Sequence, residues 1–331
     1  MLALLFATVT VVPSNANEWV VYEGELKNGK HIVFLAGDEE YRSEEGLPQM
    51  AKILAFRHGF KCTVLFSIND KGEIDPDVRD NQPGLENLKI ADLVVMLLRF
   101  REWPDAQMKH FDDYLNSGKP IIALRTSTHA FDIKSGPYEK YGWQSKTWVG
   151  GFGKQVLGET WVSHWGLHGK QGTRAHKWHQ TETHLVFRGV DEIFVTTDVY
   201  EAHPQANLFL WGEVVDGLKP TDPPAHGKRK NSLGREHEIN DPMMPIAWVN
   251  EYLYDPPNRS RVFVTTMGAA TDLLNEGLRR LLVNSALWLT GLDVPMKSDV
   301  ALVGEYKPSN FGFGGFKKGV KPSDLSAKPV G

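Results

Sequence analysis

Between His31 and His129, short apolar runs that end in polar side chains alternate with amphipathic stretches. HIVFLA (His31 to Ala36) leads into Gly37, Asp38, Glu39, Glu40 and Tyr41. KCTVLF (Lys61 to Phe66) leads into a polar loop. ADLVVMLLRF (Ala91 to Phe100) ends in Arg99, Phe100 and Arg101. Pro120 to Leu124 ends in Arg125, Thr126, Ser127, Thr128 and His129. Runs of this length and composition predict strands buried on both faces of a parallel sheet. Between them, Glu44 to His58 places Leu47, Met50, Ile53 and Leu54 on one helical face, with Gly59 as its stop. Trp103 and Pro104 open a second helix that runs to about Ser117 and closes on Gly118. The alternation predicts an α/β fold, a doubly wound and mostly parallel sheet.

The pattern loosens over residues 150–243, which read as an irregular insertion. Leu185 to Phe187, Ile193 to Thr196 and Leu208 to Trp211 are short strand candidates, and Asp216 to Asp241 reads as an exposed loop containing HGKRK (His226 to Lys230). Regularity returns with a hairpin, Met244 to Tyr252 and Arg261 to Thr266, turning through Asp255 to Asn258. An amphipathic helix follows from about Asp272 to Leu289. Residues 292–331 form a Gly-, Lys- and Pro-rich tail, expected to wrap the surface or to be loosely ordered. Trp19 to Leu26 is an edge-strand candidate. Leu2 to Val12 is apolar and precedes Ser14 and Ala16, which suits a signal peptide over residues 1–16 and export, with a cytoplasmic protein as the alternative.

Composition narrows the function classes. A net charge of −4 and a pI near 6.3 give no electrostatic drive toward nucleic acid. No segment is long and apolar enough for stable membrane insertion. The single cysteine, Cys62, excludes an intrachain disulfide and reads as a buried small hydrophobe. The GGFG run at Gly150 to Gly153 and the GFGG run near Gly312 lack the spacing and strand-to-helix context of a dinucleotide fingerprint.

HIVFLAGDEEYR, ADLVVMLLRF, GKPIIALRTSTHAF, HLVFRGVDEIFVTTDVY and the long block from PIAWVNEY to NSALWLTG together resemble the trehalose-utilisation (ThuA-like) family, in the secreted form found in planctomycete-type bacteria. The resemblance covers residues 30–291. It implies a flavodoxin-like fold of the class I glutamine amidotransferase-like superfamily, and a role in carbohydrate processing. It also excludes glutamine hydrolysis. Where amidotransferases carry a nucleophilic cysteine, this chain has Arg125 and Thr126, and where they carry the relay histidine it has Ala269 after Gly268.

The remaining chemistry lies at the carboxyl ends of the strands, where ligands of open α/β sheets bind. An imidazole, a carboxylate and a forked cation suit acid–base work on a sugar or keto-sugar. His129 or His164 is the candidate proton shuttle, Asp38 or Glu39 its partner, and Arg125 the orienting group. Tyr41, Arg99, Arg101, Ser127, Thr128 and Trp165 are candidate substrate contacts. Other readings stand beside these: Thr126, Ser127 or Thr128 as a helix cap, and Arg125 with Asp38 as a structural ion pair. No cofactor is firmly implied. A divalent metal on His164 and His168 defines a hydrolase alternative, and a non-catalytic carbohydrate- or partner-binding envelope protein a third.

Overall fold

The computed structural model describes residues 18–327, except 254–256 and 258. The leader expected over residues 1–16 lies outside the described residues, as does most of the turn at Asp255 to Asn258. The strands are β1 (Trp19–Glu23), β2 (His31–Gly37), β3 (Lys61–Phe66), β4 (Leu93–Leu98), β5 (Ile121–Leu124), β6 (Ser163–His164), β7 (Gly172–Lys177), β8 (Phe194–Val195), β9 (Tyr200–Glu201), β10 (Asn207–Val215), β11 (Lys228–Lys230), β12 (Glu236–Glu238), β13 (Met244–Leu253) and β14 (Arg259–Thr265). The α-helices are α1 (Ser43–His58), α2 (Asp105–Asn116) and α3 (Glu276–Leu289).

Ten strands form one mixed sheet in the order β1-β3-β2-β4-β5-β14-β13-β10-β7-β8. The strands β3-β2-β4-β5-β14 run parallel and are the doubly wound core the apolar runs predict. Every residue of β2, β4 and β5 is buried, as strands covered on both faces must be. In chain order these five strands lie 2-1-3-4-5, the flavodoxin-like arrangement. Its topological switch falls between β2 and β4, which brings Asp38 to Arg42 beside Arg99 to Arg101.

The hairpin β13–β14 pairs as expected, with Trp248 opposite Val264. Residues 150–243 do more than interrupt the fold. Their strands β10, β7 and β8 continue the same sheet antiparallel from β13. Leu185–Phe187 is a 3-10 turn rather than a strand, held where the Asn284 amide donates to the Val186 carbonyl. The expected exposed loop contains the β11–β12 ribbon, and Arg229 of HGKRK reaches back to the Trp165 carbonyl. The helix expected from Asp272 breaks in two: a 3-10 turn over Ala270–Leu274, then α3, whose first turn is capped by the Asn275 side chain accepting from Leu278 N–H. Cys62 is buried, and burial pushes its thiol well above the usual range.

The described part of the tail, residues 292–327, packs on the body of the fold. Tyr306 donates to the Ala270 carbonyl, Ser309 to Glu45, Gly312 N–H to the Glu40 carbonyl, and Ile74 N–H to Val320. It is a strap across the carboxyl edge of the sheet. Among the described residues no helix is long and apolar enough to cross a membrane.

Candidate functional site

Three non-glycine residues among those described adopt positive φ: Arg42 at 58°, Phe100 at 50° and Arg125 at 40°. They directly or closely follow the carboxyl ends of β2, β4 and β5. Left-handed backbone at side-chain-bearing residues is costly and collects at sites the surrounding fold over-determines.

Arg125 opens a 3-10 turn, Arg125–His129, directly after β5 and is fully buried. Its guanidinium lies 4.2 Å from the ring centres of both Tyr41 and Tyr200. It donates to the Thr266 and Asp198 carbonyls at 2.8 and 3.1 Å, and to Asp198 Oδ1 at 2.8 Å. Asp198 is buried as well and carries two histidines. His164 Nδ1 lies 2.7 Å from Oδ2, and His168 Nδ1 lies 3.2 Å from Oδ1. The second His168 nitrogen, Nε2, faces Glu40 Oε1 at 3.3 Å.

The electrostatics follow from this placement. Burial opposes ionisation of Asp198, but Arg125, His164 and His168 together hold its carboxyl well below the usual range. Ionised Asp198 only accepts, so His164 Nδ1 carries the proton. Its Nε2, without a hydrogen-bond partner among the described residues, is left as the basic atom. The hydrogen bond to Asp198 raises the His168 pKa against its partial burial, with Glu40 adding to the rise. The result is two imidazoles on a single carboxylate, with ring centres 4.9 Å apart, His164 leaving its Nε2 free among the described residues and His168 placed where the shared carboxylate favours its protonated form.

The partnership expected for Asp38 or Glu39 with a histidine is replaced by this one. Asp38 is fully buried and turns the chain out of β2: its Oδ1 accepts from the Glu40 and Tyr41 N–H groups and its Oδ2 from Thr126. Glu39 pairs with Arg99 and with fully buried Arg101, which also donates to the Pro76 and Val78 carbonyls. The expected Arg125–Asp38 ion pair is likewise absent among the described residues, because Arg125 is taken by Asp198. His129 is buried between Phe100 and Trp161, its Nδ1 3.2 Å from Thr128 Oγ1. Burial drives its pKa well below the ordinary histidine value, and nearby Arg99 and Arg125 add to the fall, so it is neutral. Trp161 also packs against His164, so His129 lies one ring from the dyad.

Ser127 is occupied by the β4 backbone, donating to Met96 O and accepting from Leu98 N–H. Thr128 donates to the Arg125 carbonyl. Trp165 is fully buried with its indole N–H on the Ile239 carbonyl. Tyr41 and Arg99 remain at the site. The GGFG run has a packing reason: a Cβ on Gly153 would fall 1.9 Å from the Thr128 carbonyl oxygen, so only glycine lets the insertion approach the turn after β5. Where amidotransferases keep their relay histidine, the Gly268 and Ala269 N–H groups cap onto Asp272 Oδ2.

Asp198, Glu40, Tyr200 and Trp161 were not among the sequence candidates. Asp198 had a readable signal: it ends the run Ile193 to Thr197, the same apolar-then-polar pattern that marks the other strand ends.

His164, His168 and Asp198 each offer a ligand atom within 4.8 Å of the others, so the cluster also has the donor set of a two-histidine, one-carboxylate metal centre. The family model described as ThuA, trehalose utilisation, matches residues 20–289. No curated protein matches this chain. A crystal structure described as thua-like from Bacteroides uniformis is similar at 16% identity and a TM-score of 0.47, covering 84% of this chain and 94% of that one. Another, from Parabacteroides merdae, is similar at 13% identity and a TM-score of 0.47, covering 86% and 95%.

Proposed function

We infer that this chain, which belongs to the trehalose-utilisation (ThuA) family, processes a sugar or keto-sugar by acid–base chemistry at the carboxyl edge of its sheet. The family suggests a carbohydrate-related role. The reaction type rests on one observation: His164 and His168 share the buried carboxylate of Asp198, which Arg125 clamps. In this reading His164 Nε2 removes a proton from a carbon next to a carbonyl, and the His168 imidazolium donates to the oxygen that gains charge. Asp198 fixes the His164 tautomer and balances the imidazolium. Export through the apolar leader belongs to the same proposal.

The test needs no knowledge of the final product. Trehalose oxidised to a keto-sugar is incubated with the protein in deuterated water, and deuterium incorporation is followed by NMR. His164→Ala is expected to lower the exchange rate by about 10²-fold or more. Because the His168 pKa is raised, the imidazolium persists above the ordinary histidine range. The rate should therefore fall as pH rises through a value above about 6.5, and His168→Gln should remove that alkaline limb. Exchange that is unchanged by His164→Ala sinks the reading.

The donor set favours a second reading, in which His164, His168 and Asp198 hold a divalent ion. Such an ion would polarise a substrate oxygen or activate water for hydrolysis. Metal analysis of the purified protein separates the two. Stoichiometric metal that disappears in the His164→Ala, His168→Ala double variant supports the hydrolase, whereas a protein that exchanges deuterium at full rate after chelation does not use one.

A further inference from the structure

Residues 292–327 lie beyond the stretch that carries the family match, yet they close one side of the site. Phe311 packs its ring 5.5 Å from that of Tyr41 and 5.4 Å from that of His168. The next residue, Gly312, donates to the carbonyl of Glu40, whose carboxylate faces His168, and its own carbonyl accepts from Arg42. The strap is therefore anchored on the residues that hold the histidine pair.

Phe313 has no such packing. It is 63% exposed, and its ring centre stands 5.0 Å from the Arg99 guanidinium carbon. Arg99 is itself held, 4.6 Å from the Phe100 ring and paired with Glu39. A lone exposed phenylalanine is ordinary. One backed by a fixed guanidinium, on the strap that packs against His168, is a platform. It connects to His168 through Arg99, whose Nε lies 3.9 Å from Glu40 Oε2, and through Glu40, whose Oε1 lies 3.3 Å from His168 Nε2.

We propose that Phe313 is a specificity-determining residue of the carbohydrate site, stacking on the second ring of a disaccharide whose first ring lies at His164 and His168. The flat C–H face of a pyranose loses little hydration against an aromatic ring, while Arg99 and Glu40 remain beside its hydroxyls. A monosaccharide at the histidines would not reach it. The inference rests on the carbohydrate reading above.

The test compares trehalose and glucose binding to the full chain, wild type against Phe313→Ala and Phe313→Trp, by titration calorimetry or saturation-transfer NMR. Phe313→Ala should weaken trehalose by about tenfold, the scale of one lost aromatic contact, and leave glucose unchanged. Phe313→Trp should restore trehalose binding. Equal trehalose affinity in wild type and Phe313→Ala overturns the role of Phe313 and leaves the histidine chemistry standing, as does an equal loss for both sugars. A wild-type protein that binds neither sugar overturns this inference, while deuterium exchange on the oxidised disaccharide decides the carbohydrate reading separately.

Discussion

Asp198→Asn should lower the deuterium-exchange rate by about three orders of magnitude and destabilise the fold at the same time. Two consequences of one buried carboxylate are involved. For catalysis, asparagine can present its N–H₂ to His164 Nδ1 and so favour the wrong tautomer, leaving Nε2 protonated and unable to act as a base. For stability, the variant leaves the Arg125 charge, fully buried in the β5 turn, without its counter-ion. Removing one partner of a buried pair costs about 3–5 kcal/mol. The flanking Tyr41 and Tyr200 rings and the two carbonyls that Arg125 also reaches favour the lower end of that range. The loss should shrink in acid. The Asp198 pKa is depressed in the fold, so its contribution is present above the unfolded value of 3.8 and fades as pH falls through the folded one. Denaturant melts read beside the exchange assay check both effects. A variant that stays fully stable but loses activity would show that Arg125 is held by its other partners alone.

Glu44→Gln should do the opposite and stabilise the protein. Glu44 lies in the first turn of α1, buried, and neither carboxylate oxygen has a hydrogen-bond partner among the described residues. Burial pushes its pKa from 4.5 up to about 8, with its own backbone N–H and then Arg42 only partly opposing. The folded chain thus binds this proton more tightly than the unfolded chain does. Stability from the group is complete below about pH 4.5 and drains away as pH rises to about 8. Glutamine keeps the shape and cannot ionise. At about 1.4 kcal/mol per pKa unit, the gain should be roughly 2–4 kcal/mol near pH 9 and should close toward pH 4.5. That is a large share of the ~5–15 kcal/mol that holds an ordinary domain. Melts of both proteins across this range decide it, and parallel curves would mean that Glu44 finds a partner or water when ionised.

The doubly wound core was legible along the chain because its cause is local. A strand covered on both faces must be apolar throughout, so β2, β4 and β5 announce themselves in sequence, as do α1 and its glycine stop. The polar residues after each run mark the carboxyl edge of the sheet for the same reason. Their roles at that edge were set by partners distant in sequence. Asp38 looks like a catalytic group and Ser127 like a substrate contact until the backbone N–H and carbonyl groups they satisfy come into view. The sequence placed His164 and His168 near the site, but Asp198, whose position after an apolar run marks a strand end and nothing of its partners, met them only when the insertion joined the sheet and brought Arg125 against it. The tail shows the same division. Its composition leaves open whether it wraps the surface or is loosely ordered, and only the packed chain sets Phe311 on His168 and leaves Phe313 open over Arg99. Periodicity reports what a segment must bury. Which charge meets which, and therefore which atom can move a proton, is decided by contacts between segments that no local pattern records.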